Sequence, residues 1–153
     1  MQQNTDFLRQ AIELAYQNCE QGGRPFGAIL VKDGQVIASG VNEILKSNDP
    51  TAHAELLAIR AASQQLGTAN LDGCVVFASG QPCPMCMAAM RMAGISRVTY
   101  AHSNEDAEAY GLSTAAIYAD LAKPFAEQSM TIRYVPVRIE TKPDLYRYWQ
   151  SIT

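Results

Sequence analysis

Apolar residues recur with a helical period at the start of the chain. In TDFLRQAIELAYQNCEQGG, Phe7, Ala11, Leu14 and Ala15 share one face, with Leu8, Ile12 and Cys19 flanking it. Asn4 or Thr5 is placed to cap this helix and Gly22–Gly23 to end it. The pattern then becomes two apolar runs around Asp33–Gly34, FGAILVKDGQVIASGVN, which predicts a β-hairpin. After the turn-forming SNDP, TAHAELLAIRAASQQLG predicts a second helix closed by Gly67. LDGCVVFASG predicts a short strand, PMCMAAMRMAG a helix with Pro84 in its first turn, and ISRVTYAH another strand. TAAIYADL reads as a helix before Lys123–Pro124, MTIRYVPVRI as a last strand and PDLYRYWQSI as a terminal helix. The order α-β-β-α-β-α-β-α-β-α predicts a mixed sheet covered by helices on both faces.

Size and composition narrow the partners. The chain has 153 residues, enough for one domain with a real core, and no internal repeat, low-complexity tract or linker divides it. Residues 1–153 therefore read as a single domain. An apolar fraction of 48% fits a globular protein. The formal net charge is −3 with no run of Lys or Arg, which argues against a nucleic acid as partner and for a small ligand. No stretch approaches the roughly 18 apolar residues of a membrane span, and MQQNTDFLRQ lacks the basic and apolar blocks of a secretory signal. Four unevenly spaced cysteines do not resemble a disulfide framework, so a reducing cytoplasm is expected. Cys19 and Cys74 sit among apolar neighbours and are expected to pack as small hydrophobes.

The chemistry concentrates in TAHAE and QPCPMC. His53 and Glu55 open one helix; residues two apart do not share a face, but near a helix start both can flank a species lying off that end. Cys83 and Cys86 open the next helix and, three apart, share a face. A helix N-terminus favours anions and lowers a thiol pKa, which suits thiolate ligands. Two helix starts can therefore converge on one cation. Three readings follow. A redox pair leaves His53 and Glu55 unexplained. A structural zinc needs a fourth ligand, and His102 is the only other histidine, while Cys19 and Cys74 lie inside a helix and a strand. A catalytic zinc needs three ligands and an open position for water, and then Glu55 is free to shuttle protons. The spacing matches the H-x-E…P-C-x-x-C signature of zinc nucleobase deaminases.

On these motifs the chain resembles the cytidine deaminase-like superfamily, and within it the bacterial guanine deaminases. GRPFGAILVKDGQVIASGVN, SNDPTAHAELLAIRAA, QPCPMCMAAM and EDAEAYGLSTAAIYADLAKP carry the likeness, from about residue 7 to Pro124. The resemblance implies an α/β, three-layer α-β-α fold with a five-stranded mixed sheet. It implies one catalytic Zn2+ held by His53, Cys83 and Cys86, with Glu55 as the proton shuttle. It also implies a homodimer, with C-terminal segments exchanged so that each closes the partner's site. Asn42 then corresponds to the asparagine that hydrogen-bonds a ring carbonyl, Phe26 to an aromatic beside the substrate, and the Ala54 N–H faces the base. Guanine plus water to xanthine plus ammonia is the implied reaction. A tRNA adenosine deaminase is the alternative, as is a deaminase of cytosine, isocytosine, a triazine or a nucleoside. Two departures bear on the substrate. Gln81 stands where the family usually has Glu, and Thr114 where guanine deaminases carry an acidic contact to the base, a role that Asp106 or Glu108 nearby would have to take. Tyr146, Tyr148 and Trp149 close to the end either pack or form a lid.

Overall fold

The computed structural model describes residues 2–153. The chain divides into two compact units, residues 2–119 and 120–153. In the first unit, α1 (Gln2–Glu20) leads to the hairpin β1 (Gly27–Lys32) and β2 (Gln35–Val41), then a one-turn helix α2 (Ile44–Ser47) and α3 (Ala54–Leu66). Next come β3 (Cys74–Gly80), α4 (Pro84–Met92), β4 (Arg97–His102) and a short α5 (Asn104–Glu108). A helix α6 (Ala115–Leu121) spans the division. The α1 helix already runs at Gln2, so Asn4 and Thr5 lie inside it rather than at its cap.

The sheet is mixed, in the order β2-β1-β3-β4. β1 pairs antiparallel with β2 and β3, and β3 runs parallel to β4. Asp33 and Gly34 both adopt positive φ, 51° and 76°, as a tight hairpin turn demands. Alternation along the strands makes two faces. Ile29, Val31 and Phe77 pack with Phe7 of α1, while Leu30, Cys74 and Val76 pack with Ala62 of α3 and Met90 of α4. The unit is thus three layers, α-β-α. Gly40 of β2 lets α3 lie against the sheet, because a Cβ there would run into the backbone of Ala54 and Ala58. The first turn of α3 is thereby fixed beside the end of β2.

Two further expectations fail. The sheet has four strands, not five: residues 130–139 form no ladder, and their only backbone bond within the segment is Val137 N–H to Val135 O at 2.8 Å. Pro136 removes a donor from the middle of this run, which limits any pairing it can make. Cys19 is exposed rather than packed, because the buried face of α1 runs through Phe7, Ala11, Ala15 and Asn18 and leaves Cys19 one position out of phase. Cys74 is buried, as expected.

The second unit contains a short 3-10 turn (Phe125–Glu127) and the helix α7 (Leu145–Ile152). Asp120 accepts from Ser129 N–H at 3.0 Å and from Ser129 Oγ at 2.9 Å. The apolar stripe of α7, Leu145, Tyr148, Trp149 and Ile152, is exposed.

Candidate active site

Two helix starts meet. His53 occupies the N-cap of α3 and Cys83 the N-cap of α4, both with extended backbone, and neither side chain caps its own helix. Instead, His53 Nδ1 lies 3.4 Å from Cys83 Sγ and 3.6 Å from Cys86 Sγ. The three ligand atoms all fall within 4.8 Å of one another. Among the described residues no other His, Cys, Asp or Glu groups in this way. One imidazole and two sulfurs in this array suit zinc: soft donors, a tetrahedral ion's spacing, and a fourth position that the protein does not fill.

The electrostatics fit the array. The hydrogen bond from Cys86, with another from His53, pulls the Cys83 thiol down to about 4. The Cys86 thiol is pushed up because it is the donor in that pair and is buried. The Cys83 hydrogen bond raises the His53 pKa against the effect of burial. Glu55, the second residue of α3, is only 5% exposed, and burial raises its carboxyl pKa above the usual range. It is a buried acid beside the array and outside it.

His53, Ala54, Glu55, Cys83, Asn42, Phe26 and Thr114 line one cavity of about 280 Å³. Cys86 is fully buried and joins through its sulfur. The sequence-predicted residues are therefore all brought together. The volume lies near the small end of the usual range of about 300–1,000 Å³ and suits a single heterocycle. Neither Asp106 nor Glu108 lines it. The Asp106 carboxylate instead takes the Ser103 N–H at 2.9 Å, and that bond holds its pKa down.

The polar wall is made of donors whose partners are fixed. Asn42 Oδ1 accepts from Ile44 N–H at 3.1 Å, so its Nδ2 is left as a donor. No fully buried side-chain N or O among the described residues lacks a partner, so this Nδ2 is accessible, on a residue that lines the cavity. The Ala54 N–H, first in α3, has no acceptor within its helix. Two residues that sequence reading missed support this wall. Asn18, buried on α1, donates to Arg24 O at 2.8 Å and Asn42 O at 2.9 Å, tying both cavity-lining residues to the helix. Tyr118 donates from its hydroxyl to Pro82 O and so links α6 to the loop before Cys83. The signal for Asn18 was a polar residue on an otherwise apolar stripe. Tyr118 had none.

A family model, cytidine and deoxycytidylate deaminase zinc-binding region, matches residues 1–102. The chain belongs to the cytidine and deoxycytidylate deaminase family. It is a zinc-dependent deaminase, an enzyme that hydrolyses a C–N bond. Over 146 residues, 95% of this deaminase and 92% of the relative, it is 40% identical to guanine deaminase from Bacillus subtilis strain 168. A crystal structure of the Bacillus subtilis guanine deaminase superposes with a TM-score of 0.84, covering 96% of this chain and 93% of that one. A guanine deaminase structure from Nitrosomonas europaea is 30% identical with a TM-score of 0.66, covering 71% and 63%. The tRNA-specific adenosine deaminase of Aquifex aeolicus is also 40% identical, but over 94 residues, 61% of this chain and 62% of that one. No helix among the described residues is long and apolar enough to cross a membrane.

Proposed function

We propose that this deaminase converts free guanine and water to xanthine and ammonia, with residues 1–153 working as one catalytic domain. The observation that carries the reading is the 40% identity to a guanine deaminase along 95% of the chain, which takes in most of residues 120–153, whereas the tRNA deaminase match covers 61%. A cavity of about 280 Å³ supports a base over anything larger.

Zinc held by His53, Cys83 and Cys86 would supply a water whose pKa is lowered to about 7. Glu55 takes a proton from the attacking water as its oxygen bonds to C2 of guanine, and gives that proton to N3. Glu55 then carries the remaining hydroxyl proton to the departing amine, which leaves as ammonia while N3 keeps its hydrogen. A buried carboxyl with a raised pKa suits both transfers, because it holds and releases protons nearer neutrality. Asn42 Nδ2 and the Ala54 N–H donate to acceptors on the base, and Phe26 packs against the ring. Thr114 contributes a hydroxyl to the same wall.

The exposed apolar stripe of α7 supports a homodimer in which residues 120–153 of each copy cover the other's site. The four free cysteines suit a reducing cytoplasm. The test is ammonia release from guanine, adenine, cytosine, isocytosine, ammeline, guanosine, cytidine and tRNA. Guanine should be the preferred substrate by at least about tenfold in kcat/KM, and preference for tRNA or a nucleoside would overturn the assignment.

A further inference from the structure

The cavity wall opposite the α3 start is held by a relay that no motif announces. Asn104 N–H donates to Gln81 Oε1 at 2.9 Å, and Asn104 Oδ1 accepts from Thr114 N–H at 3.2 Å and Thr114 Oγ1 at 3.4 Å. The backbone donors decide the orientation of both amides, because an N–H requires an oxygen. Gln81 Oε1 is thus committed to Asn104, and Gln81 Nε2 has no partner in the protein. Because every fully buried side-chain N and O among the described residues is partnered, that Nε2 is accessible. Gln81 and Thr114 both line the cavity, and Gln81 stands between it and a second cavity that Asn104 lines. The Gln81 backbone is itself fixed by donating to His102 O at 2.7 Å, and Tyr118 ties the far end of the Thr114 segment to Pro82. The relay therefore holds an amide donor in place on a rigid frame.

We propose that Gln81 is a specificity-determining donor of this site and that Asn104 is the positioning residue that aims it, so that the site takes a base presenting a hydrogen-bond acceptor to Gln81. This rests on reading the cavity as the site of a free base. With Asn42 Nδ2 and the Ala54 N–H, Gln81 offers a third neutral donor to a cavity that the Arg24 guanidinium also lines. The Thr114 hydroxyl gives its hydrogen to Asn104 and offers only lone pairs. The wall has no carboxylate apart from Glu55. Such a wall selects edges carrying ring nitrogens or a carbonyl and disfavours edges carrying amines.

The experiment measures binding by calorimetry in the zinc-loaded Glu55→Gln background, where turnover does not consume the ligand. Guanine is compared with 2-aminopurine, which lacks O6 and carries N1 as an acceptor in place of N1–H, with 7-deazaguanine, which lacks N7, and with 3-deazaguanine, which lacks N3. Gln81→Met should weaken guanine about tenfold, the loss of one hydrogen bond to a neutral group, and leave unchanged the single analogue that lacks the acceptor facing Gln81. Gln81→Glu keeps an oxygen for Asn104 but reverses the donor, and should weaken guanine at least as much. Asn104→Pro, which removes the N–H that holds Gln81 Oε1 at a first-turn position where proline is tolerated, should reproduce the loss, whereas Asn104→Ala, which keeps that N–H, should retain most of the guanine binding. Equal weakening of all four ligands by Gln81→Met, or none, overturns the proposal. Selective binding through Gln81 without ammonia release from guanine by the parent enzyme would keep this inference and sink the guanine deaminase reading. Ammonia release with no Gln81 discrimination would do the reverse, and no binding of any base would remove both.

Discussion

Helices α5 and α7 begin differently from α3 and α4. Ser103 accepts from Asp106 N–H at 3.1 Å and the Asp106 carboxylate returns the bond to Ser103 N–H, while Asp144 accepts from Arg147 N–H at 3.4 Å. These side chains serve their own helices, each bond offsetting one of the orphan donors of a first turn. His53 and Cys83 occupy the equivalent position with extended backbone and make no cap bond at all. Their side chains face each other across the gap between two elements. Neither start has a conventional oxygen cap, and the positive ends of both helices lie beside the two sulfurs and the base-sized cavity. The capped starts do nothing but hold their helices, and in the case of α5 the Asn104 that follows.

The largest break in this contrast comes from making α3 begin as α5 does. His53→Ser supplies a cap side chain but no zinc donor. Zinc content should fall from about one per chain to none and ammonia release should be lost. The metal-free variant should equal or exceed the metal-free parent in stability by up to about 1 kcal/mol, read from urea unfolding of both in chelator. A metal-free variant clearly less stable than the metal-free parent would mean that His53 supports the fold as well as the ion. The smaller break removes a cap that serves only its helix. Ser103→Ala should cost about 1 kcal/mol or less in the same unfolding assay and leave zinc content intact. A loss of zinc there would show that the two kinds of helix start are not independent.

The parts of the site legible in the sequence are those written locally. His53 and Glu55 lie two apart, Cys83 and Cys86 three apart, and each pair sits at a helix start whose apolar run and Pro84 mark it. Asn42 follows directly from the end of β2, but a bulge that leaves Ile37 unpaired shifts that strand's register against β1 beyond the Asp33–Gly34 turn, which the turn residues do not encode. The Gln81–Asn104–Thr114 relay was illegible because it joins the backbone N–H groups of Asn104 and Thr114 to the side-chain oxygens of Gln81 and Asn104, and no side-chain spacing encodes where a distant amide will lie. Asn18 was hidden one residue from the cysteine that attracted attention, since a single step along a helix turns a side chain by about 100°. Residues 130–139 carried a strand composition, but composition supplies no partner, and Pro136 withholds one of the donors that pairing would use.

The proposed mechanism has Glu55 move protons at a zinc site that it does not help to build. The deciding assay is ammonia release from guanine by the parent and by Glu55→Gln, each with its zinc content determined on the same sample. Retained zinc at about one ion per chain with a fall in kcat of about 10²–10⁴-fold is the predicted result. Retained activity with zinc bound, or loss of zinc together with activity, would contradict it.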